Sequence, residues 1–390
     1  MKKWILALLA CALMVCAACS AQTAQQPAHA PEEEQGPAAQ TAVSWQDLAF
    51  DETVPLSYAT QFTISHAGSD YTRLTIGDDQ TFLVVAEQAP VPEGVPADVT
   101  VLQQPLDHIY LVATAAMDYF SELGAVGNIT LSSQKGKDWY IDDAKAAMQA
   151  GTMVYAGKYS TPDYETILAG DCNLAIENTM IYHTPDVIEQ LQKLGIPVLV
   201  ERSSYEPEPL GRMEWLKLYA VLVGKEAEAE AYFTQLMQSL DGVIDQTSTG
   251  KRVAFFYITT SGAVNVRKSG DYIAKAIRMA GGEYVSFDET DEENAMSTMT
   301  VQMESFYHTA LDADILIYNS TIDGEIETIE QLLAKSPLLA DFKAVKSGNV
   351  WCISKNFYQE SLELGNMILD VHAILNGEED GELHFLHKLT

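Results

Sequence analysis

Two glutamates, Glu165 and Glu304, occupy matching positions in distant halves of this 390-residue sequence. Glu165 lies in PDYETILAGDCNLAI and Glu304 in VQMESFYHTALDADILIY, and each stretch reads as a short helix, an acidic turn and an apolar strand. A carboxylate in the first turn of a helix is favoured by the helix dipole, and an exposed carboxylate also pairs with arginine. The repeated layout therefore suggests that the two carboxylates share a role in addition to stabilising the starts of their helices.

Patterns typical of catalysis are missing from the sequence. It contains no G-x-S-x-G elbow, no H-E-x-x-H pair, no phosphate-binding loop and no S-x-x-K beside a plausible set of partners. We therefore predict no catalytic residues and a protein that is not an enzyme. A lipid-anchored hydrolase is the alternative from a different functional class.

The charge balance argues against two classes of partner. The sequence has 55 acidic and 23 basic residues, which gives a formal net charge of -32. Nucleic-acid binding needs clustered lysine and arginine, and so does docking by charge onto an anionic membrane. An acidic excess keeps a protein soluble, and it can also steer a basic partner toward it.

The first residues, MKKWILALLACALMVCAACSAQ, have the pattern of a secretory signal. Two lysines precede an apolar run at 4–15 that is too short to span a bilayer, and small residues follow up to Cys19. The segment CAAC resembles a bacterial lipobox, which implies cleavage before Cys19 and a lipid on its thiol; an ordinary signal cleaved nearby is the alternative. We predict residues 1–18 as signal peptide and residues 19–44 as a disordered tether.

Strand and helix patterns divide the rest of the chain. Three strand patterns, FTISHAG, TRLTIG and TFLVVA, come first, and from about residue 99 strands alternate with helices, beginning with the strand VTVLQQP. Helix formers then dominate from 212 to about 245, with Gly224 as the weak point, and the alternation resumes at KRVAFFYI. Such alternation predicts a mostly parallel sheet in each half.

The predicted fold class is therefore α/β, with two α/β lobes joined by one long helix. The predicted bounds are an N-terminal lobe at 45–207, a connecting helix at 208–248 and a C-terminal lobe at 249–390. A rigid helix between lobes would allow only a small closing motion.

A lipidated export signal, two α/β lobes and one connecting helix together resemble the solute-binding proteins of ATP-driven importers for iron-siderophores, haem and vitamin B12. The resemblance rests on the order and spacing of the two glutamate stretches and of LQKLGIPVLV, LGRMEWLKLYAVLVGKEAEAEAYF, IAKAIRMAGGEYV and DFKAVKSGNVWCI. It covers the chain from about residue 99 to 375. The strands at 45–90 are less typical and read as an elaboration of the first lobe.

The resemblance implies a lipid-anchored protein on the outer face of the cytoplasmic membrane, on the extracellular or periplasmic side. Such a protein captures an iron complex, a siderophore or haem, between its lobes and delivers it to an ABC permease and ATPase, without a cofactor of its own. In relatives, a surface glutamate on each lobe forms a salt bridge with arginines of the permease. Glu165 and Glu304 fall on those positions, where one carboxylate on each rigid lobe reports the distance between the lobes.

The resemblance also implies the chemistry of the ligand site. Siderophores and haem are large, anionic and partly aromatic, so they call for aromatic walls and cations on the loops at strand ends. The predicted ligand-binding residues are Trp139, Tyr140, Tyr159, Tyr182, His183, Arg202, Tyr205, Arg212, Arg267 and Tyr358.

Other cargoes stay open at this point. A corrinoid such as cobalamin also suits an aromatic cleft with a few cations. Bare zinc or manganese is a further alternative. The candidate ligands would be His66, His108, His183 and His308, which lack the paired spacing of a zinc site. We therefore predict no metal ligands. His183 could instead bind the iron of a chelate or of haem directly.

Overall fold

The computed structural model describes residues 42–244, 246–288, 298–378 and 383–390. The predicted signal peptide, Cys19 and the tether as far as residue 41 lie outside the described residues. Within the described part of the chain, no helix is long and apolar enough to cross a membrane.

A five-stranded parallel sheet forms the centre of the N-terminal lobe, in the order β12-β11-β6-β7-β8. Helices lie on both of its faces, so successive side chains of β11 pack into two different hydrophobic clusters. Leu174 and Ile176 belong to one cluster, and Ala175 belongs to the other. The strands of this sheet are β6 (Ile109–Leu111), β7 (Ile129–Ser132), β8 (Val154–Tyr155), β11 (Leu174–Asn178) and β12 (Val198–Glu201); a small hairpin adds β9 (Gly157–Lys158) and β10 (Thr161–Pro162). The helices are α1 (Ala116–Glu122), α2 (Asp142–Ala150), α3 (Tyr164–Ala169) and α4 (Pro185–Lys193).

The C-terminal lobe is built on a mixed sheet. Its central strands β13, β17 and β18 are parallel, whereas β14, β16 and β19 extend the sheet in antiparallel pairs. The strands are β13 (Arg252–Ile258), β14 (Val264–Arg267), β15 (Glu283–Tyr284), β16 (Thr298–Val301), β17 (Ile315–Asn319), β18 (Val350–Ile353) and β19 (Leu386–Lys388). The helices are α8 (Tyr272–Met279), α9 (Met303–Ala310), α10 (Ser320–Asp323), α11 (Ile329–Lys335), α12 (Lys343–Ser347) and α13 (Leu364–Asn376). Together with the N-terminal lobe, this confirms the predicted α/β fold class.

A separate sheet precedes the two lobes. It runs in the order β1-β2-β3-β4-β5 and is antiparallel except for the last pair. The three strand patterns near the start of the folded chain are present as β2, β3 and β4. The strand VTVLQQP was expected to open the alternating lobe, but as β5 it pairs with β4 instead. The strands are β1 (Glu52–Thr53), β2 (Phe62–Ala67), β3 (Tyr71–Ile76), β4 (Gln80–Val85) and β5 (Val99–Gln103).

The connection between the lobes is helical, as predicted, but it is not one continuous helix. It consists of α5 (Pro209–Glu214), α6 (Leu216–Val223) and α7 (Glu226–Ser239). Gly224 ends α6 because it adopts the left-handed conformation, with φ of 66°, which a glycine reaches without steric cost. The chain therefore turns at this glycine, and α7 packs against α6 instead of extending it.

Two buried glutamates tie residues 57–61 to this connecting segment. The Glu214 carboxylate accepts hydrogen bonds from the three backbone N–H groups of residues 57–59, at 2.8–3.1 Å. Glu206 accepts from the two N–H groups that follow, at 2.8–3.0 Å, and from the Trp215 indole at 3.0 Å. Five consecutive amides thus find their acceptors on two side chains rather than in a strand, and this fixes the N-terminal sheet against α5.

The approach of this segment to α5 depends on a small residue. Gly211 faces the backbone of residues 57–59, and a Cβ placed on it would lie 2.9 Å from the Tyr58 carbonyl oxygen. Any larger residue at this position would push the backbone away from Glu214 and lengthen its hydrogen bonds.

Replacing Glu214 by Ala should lower the free energy of unfolding by about 3 kcal/mol, because three buried N–H groups lose their acceptor and the buried Lys217 ammonium loses a partner at 3.3 Å. Urea denaturation followed by circular dichroism measures this loss. Glu230 is the matched control, since it contacts the same Lys217 ammonium at 3.2 Å but its side chain is 65% exposed. E230A should cost less than about 1 kcal/mol, and equal losses for the two variants would contradict the role assigned to Glu214.

Candidate ligand site at the strand ends of the two lobes

The two lobes carry equivalent loops at the carboxyl ends of their central strands. In the N-terminal lobe, β11 ends at Asn178, whose side chain accepts a hydrogen bond from the Met180 N–H at 2.9 Å. In the C-terminal lobe, β17 ends at Asn319, whose side chain accepts from the Thr321 N–H at 3.2 Å and begins α10. Both loops therefore start with the same cap, at the ends of parallel strands where α/β proteins bind ligands.

Tyr182, Arg202 and Tyr205 form a first group on the N-terminal lobe. The Arg202 Cζ lies 5.2 Å from the centre of the Tyr205 ring, and its Nη1 lies 3.1 Å from an oxygen of Asp79. Partial burial raises the pKa of Tyr182, and the nearby Asp79 carboxylate raises it further, while Arg202 lowers it. Tyr182 is 42% exposed, and His183 beside it is also exposed. This group offers a cation on the face of one phenol ring, with a second exposed phenol nearby.

Arg212 and Arg267 meet at the ring of Tyr272. The Cζ of Arg212, on α5, lies 3.9 Å from the ring centre, and that of Arg267 lies 5.6 Å from it. Arg267 also pairs with the buried Asp271 at 3.5 Å. Arg212 thus joins α5 to the start of α8, whereas Arg267 contacts the same ring from within the C-terminal lobe.

Tyr140 and Tyr358 form the third group, where the lobes touch. Their rings lie 6.0 Å apart in an edge-to-face arrangement. The fully buried Gln359 accepts a hydrogen bond from the Tyr140 N–H at 2.7 Å and donates one to the Asp138 carbonyl at 2.9 Å. One amide side chain of the C-terminal lobe thus holds the backbone of a loop of the N-terminal lobe. We call these two bonds the amide clasp.

Two predicted ligand residues lie apart from these groups. Trp139 is only 2% exposed and belongs to the hydrophobic core, so the expectation that it lines a ligand cleft is corrected. Its two neighbours in sequence, Asp138 and Tyr140, are the residues held by the clasp. Tyr159 is half-buried near the β9–β10 hairpin and packs on the core of the N-terminal lobe.

Three residues at these groups were missed from the sequence: Asp79, Tyr272 and Gln359. Tyr272 and Gln359 stand close in sequence to Arg267 and Tyr358, and that proximity was the available signal. Asp79 gave no signal, because 123 positions separate it from Arg202.

Acidic side chains from both lobes face each other beside the clasp. Asp118 of α1 accepts a hydrogen bond from the Leu362 N–H of the C-terminal lobe at 2.7 Å. Burial raises the pKa of Asp118 to about 8, although this hydrogen bond opposes the shift, and the nearby carboxylates of Glu363 and Glu360 raise the pKa further. His384 lies 3.7 Å from Glu360 and 3.9 Å from Glu363. We call this set of residues the acidic seam.

The described residues contain no group of three or more His, Cys, Asp or Glu side chains arranged to hold a metal ion. His66 contacts Thr72 and His108 contacts Asp107, each at 2.8–2.9 Å, while His183 and His308 are exposed on different lobes. The histidines therefore stay as scattered in space as they are in sequence.

Comparison with known proteins identifies relatives of the same architecture. The sequence profile of a family described as periplasmic binding protein matches residues 111–356. A protein of Methanocaldococcus jannaschii, described as an uncharacterized lipoprotein, is 27% identical over 329 residues, which make up 79% of this chain and 76% of the relative.

Solved structures show a similar fold at low sequence identity. A periplasmic haem-binding protein of Pseudomonas aeruginosa has a TM-score of 0.57 at 15% identity, covering 73% of this chain and 98% of its own. A periplasmic haem-binding protein of Vibrio cholerae has a TM-score of 0.54 at 18% identity, and the match covers 67% of this chain and 96% of that protein. A periplasmic catecholate-siderophore-binding protein of Vibrio cholerae has a TM-score of 0.53 at 14% identity, and the match covers 70% of this chain and 95% of that protein.

Replacing Asp118 by Asn should stabilise the protein more strongly as the pH rises. The pKa of Asp118 in the folded protein lies above its value of about 4 in the unfolded chain. Between pH 4 and about 8, Asp118 therefore loses its proton in the unfolded chain while it keeps it in the folded protein. Over this range the free energy of unfolding of the wild type falls by up to about 1.4 kcal/mol per pH unit. Asparagine stays neutral and escapes this loss. Thermal unfolding of both proteins from pH 5 to 9 measures the difference, which should grow up to about pH 8 and then level off.

Asp142 supplies the control, because it lies in α2 nearby but its side chain is 94% exposed, and its hydrogen bond with Lys145 lowers its pKa. D142N should therefore differ from the wild type by the same amount at every pH from 5 to 9. Parallel pH curves for the wild type and D118N would show that Asp118 ionises as an ordinary surface carboxyl group.

Proposed function

This chain belongs to the periplasmic binding protein family, and we propose that it is the solute-binding component of an ABC importer that captures an iron complex, a siderophore or haem, between its lobes. Its family and fold are those of solute-binding proteins rather than of enzymes. Proteins of this family bind small molecules and work with a permease and an ATPase. The iron complex as cargo is supported by the fold neighbours, which bind haem or a catecholate siderophore.

The observation that carries the proposal is the equivalent construction of the two lobes. Glu165 and Glu304 are both exposed and both stand in the first turn of the helix before the central strand, on α3 and α9. The carboxyl ends of the central strands that follow these helices, β11 and β17, carry the Asn-capped loops. Asp163, which begins α3, donates its N–H to the Ala156 carbonyl just past the end of β8, and β16, which leads into α9, lies beside the end of β13 through its pairing with β14. Each lobe thus presents a carboxylate suited to a permease arginine and a loop for the ligand on the same side of its sheet.

The chemistry of the strand-end loops favours a large, partly aromatic ligand. Met180 and Tyr182 are exposed after β11, Ile322 is 67% exposed after β17, and Tyr358 is 38% exposed after β18. Large apolar side chains at such loops stay exposed at a cost in hydration, which a ligand recovers when it covers them. A corrinoid fits the same surface and is the second candidate. Bare zinc or manganese is less favoured, because the part of the chain that the structure describes holds no group of three or more His, Cys, Asp or Glu side chains arranged for a metal ion.

We place the protein on the extracellular or periplasmic side, held to the outer face of the cytoplasmic membrane by a lipid on Cys19. The lipobox-like segment supports this, and so does the description of the Methanocaldococcus jannaschii relative as a lipoprotein. Metabolic labelling with a radioactive fatty acid should mark the wild type and leave C19S unlabelled.

The cargo can be identified by titrating the full-length protein in detergent with haemin, ferric siderophores, cobalamin, zinc and manganese, while following intrinsic fluorescence. Saturable quenching by an iron complex at micromolar or lower concentration is the expected result, because Tyr140, Tyr182 and Tyr358 lie at the proposed contact surface. A response to cobalamin alone would move the cargo to the corrinoids. A response to bare metal alone would contradict the proposal.

Replacing Glu165 or Glu304 by Ala should leave the affinity for the ligand unchanged and lower uptake into cells by about tenfold or more, because a charge-assisted pair with the permease is lost. Affinity is measured by the same titration and uptake with radioactive iron in the complex. Glu330 is the matched control, since it is also an exposed glutamate in the first turn of a helix, α11. If E330A lowers uptake as much, or if E165A and E304A weaken ligand binding, the two glutamates do not act in docking.

A further inference from the structure

The N-terminal sheet is fixed along the edge of the N-terminal lobe. The side chain of Gln80, at the start of β4, accepts a hydrogen bond from the Val200 N–H at 2.7 Å and donates one to the Val200 carbonyl at 3.0 Å. Val200 lies in β12, which is the edge strand of the lobe's parallel sheet. One amide side chain thus takes the place that a neighbouring strand would occupy, and it fixes the β3–β4 turn at residues 77–79 beside the end of β12.

The β3–β4 turn makes close contact with Arg202. Gly77 has a φ of 56°, and a Cβ at this position would lie 2.0 Å from the Arg202 Nη1, so the guanidinium lies directly against the glycine backbone. Asp79 pairs with the same Nη1 at 3.1 Å, and the Tyr205 ring lies on another side of the cation. The orientation of Arg202 is therefore set by a turn that belongs to the N-terminal sheet and not to the lobe itself.

The cation keeps donor capacity in this arrangement. The Arg202 Nε is buried, and among the described residues it has no hydrogen-bond partner. A guanidinium presents five N–H donors in a planar fork, and Asp79 accepts a single hydrogen bond from Nη1. A fork with an open edge matches a carboxylate or a similar planar oxyanion.

The N-terminal sheet lies outside the part of the chain that defines the family. The family profile begins at residue 111, after the last strand of the sheet. The sheet thus lies ahead of the matched residues, and it meets the N-terminal lobe beside exposed residues of a strand-end loop.

We propose that the β3–β4 turn is a third wall of the ligand site, in which Asp79 is a positioning residue that holds Arg202 ready for an oxyanion of the ligand. This rests on the proposed function and names a feature of its ligand: a carboxylate, or a comparable planar oxyanion, attached to an aromatic or apolar body that lies against Tyr182. The two lobes bind the body of the ligand, and the N-terminal sheet orients the group that recognises its charge. Since Asp79 stays close to the bound oxyanion, the site takes one such group at this position rather than a cluster of them.

Haemin and its dimethyl ester are the probes for this role, because they share a ring system and differ in two carboxylates. We expect R202Q to weaken haemin binding by about tenfold and D79A by about fivefold, with the affinity for the ester unchanged. The double variant should bind haemin no more weakly than R202Q alone, because Asp79 acts through Arg202. Asp70 lies at the opposite end of the same sheet, and D70A should bind haemin like the wild type. Equal haemin affinities for D79A and D70A, or additive losses in the double variant, would overturn the proposal.

A second measurement tests the positioning without any ligand. Labelling by phenylglyoxal, followed by mass spectrometry of the peptide that contains Arg202, should be faster in D79A than in D70A and the wild type, because the guanidinium loses its carboxylate partner. Equal rates would overturn the positioning role even if the panel of ligands establishes the proposed function. If a siderophore or cobalamin binds while neither porphyrin does, the function stands, and the same variants are then compared with that ligand; an affinity insensitive to R202Q would overturn the oxyanion subsite.

Discussion

Five backbone N–H groups that have no strand to pair with are satisfied by two carboxylates, and much of the molecule depends on this arrangement. Buried amides need acceptors, and Glu206 and Glu214 supply them to residues 57–61 from the start of the connecting segment. The negative charges are offset by the Trp215 indole and the Lys217 ammonium. Because the carboxylates stand on or next to α5, the N-terminal sheet is fixed to the same element that joins the two lobes.

The contacts between the lobes are of two kinds with different physical character. At the connecting segment, Arg212 stacks on Tyr272, and Lys275 of α8 pairs with Glu208 at 2.5 Å, so the C-terminal lobe is attached by cations. At the loops between 354 and 363, the amide clasp is neutral and the acidic seam brings carboxylates together. Because burial raises the pKa of Asp118 to about 8, this carboxyl group is mostly protonated at neutral pH, so it meets Glu360 and Glu363 without a full negative charge.

Recognition in this protein combines a repeated part with a second part. The repeated part consists of helix, central strand and Asn-capped loop in each lobe, and it gives the two lobes equivalent surfaces at the carboxyl ends of their strands. The second part is the N-terminal sheet, which packs on both the N-terminal lobe and the connecting segment and holds Arg202 through Asp79.

Local patterns decided most of what could be predicted. The α/β fold class, the strands β2 to β4 and the placement of Glu165 and Glu304 followed from the alternation of apolar residues and from helix starts, which are properties of a few consecutive positions. Gly224 was visible as a weak point, but whether it ends the helix depends on the packing of α7 against α6. The assignment of β5 was wrong for a similar reason, because a strand pattern does not reveal which sheet it joins.

The sequence by itself determined the class of the protein, since composition, signal pattern and the order of elements are written along the chain. Only the tertiary structure decided which polar and aromatic side chains act together. Trp139 looked like a ligand contact and is a core residue, and Gln359 holds the loop around it from the other lobe. Arg202 looked like a free cation and is held by Asp79 from 123 positions away. Pairings over such separations are set by the packing of whole sheets, and a pattern of neighbouring residues does not encode them.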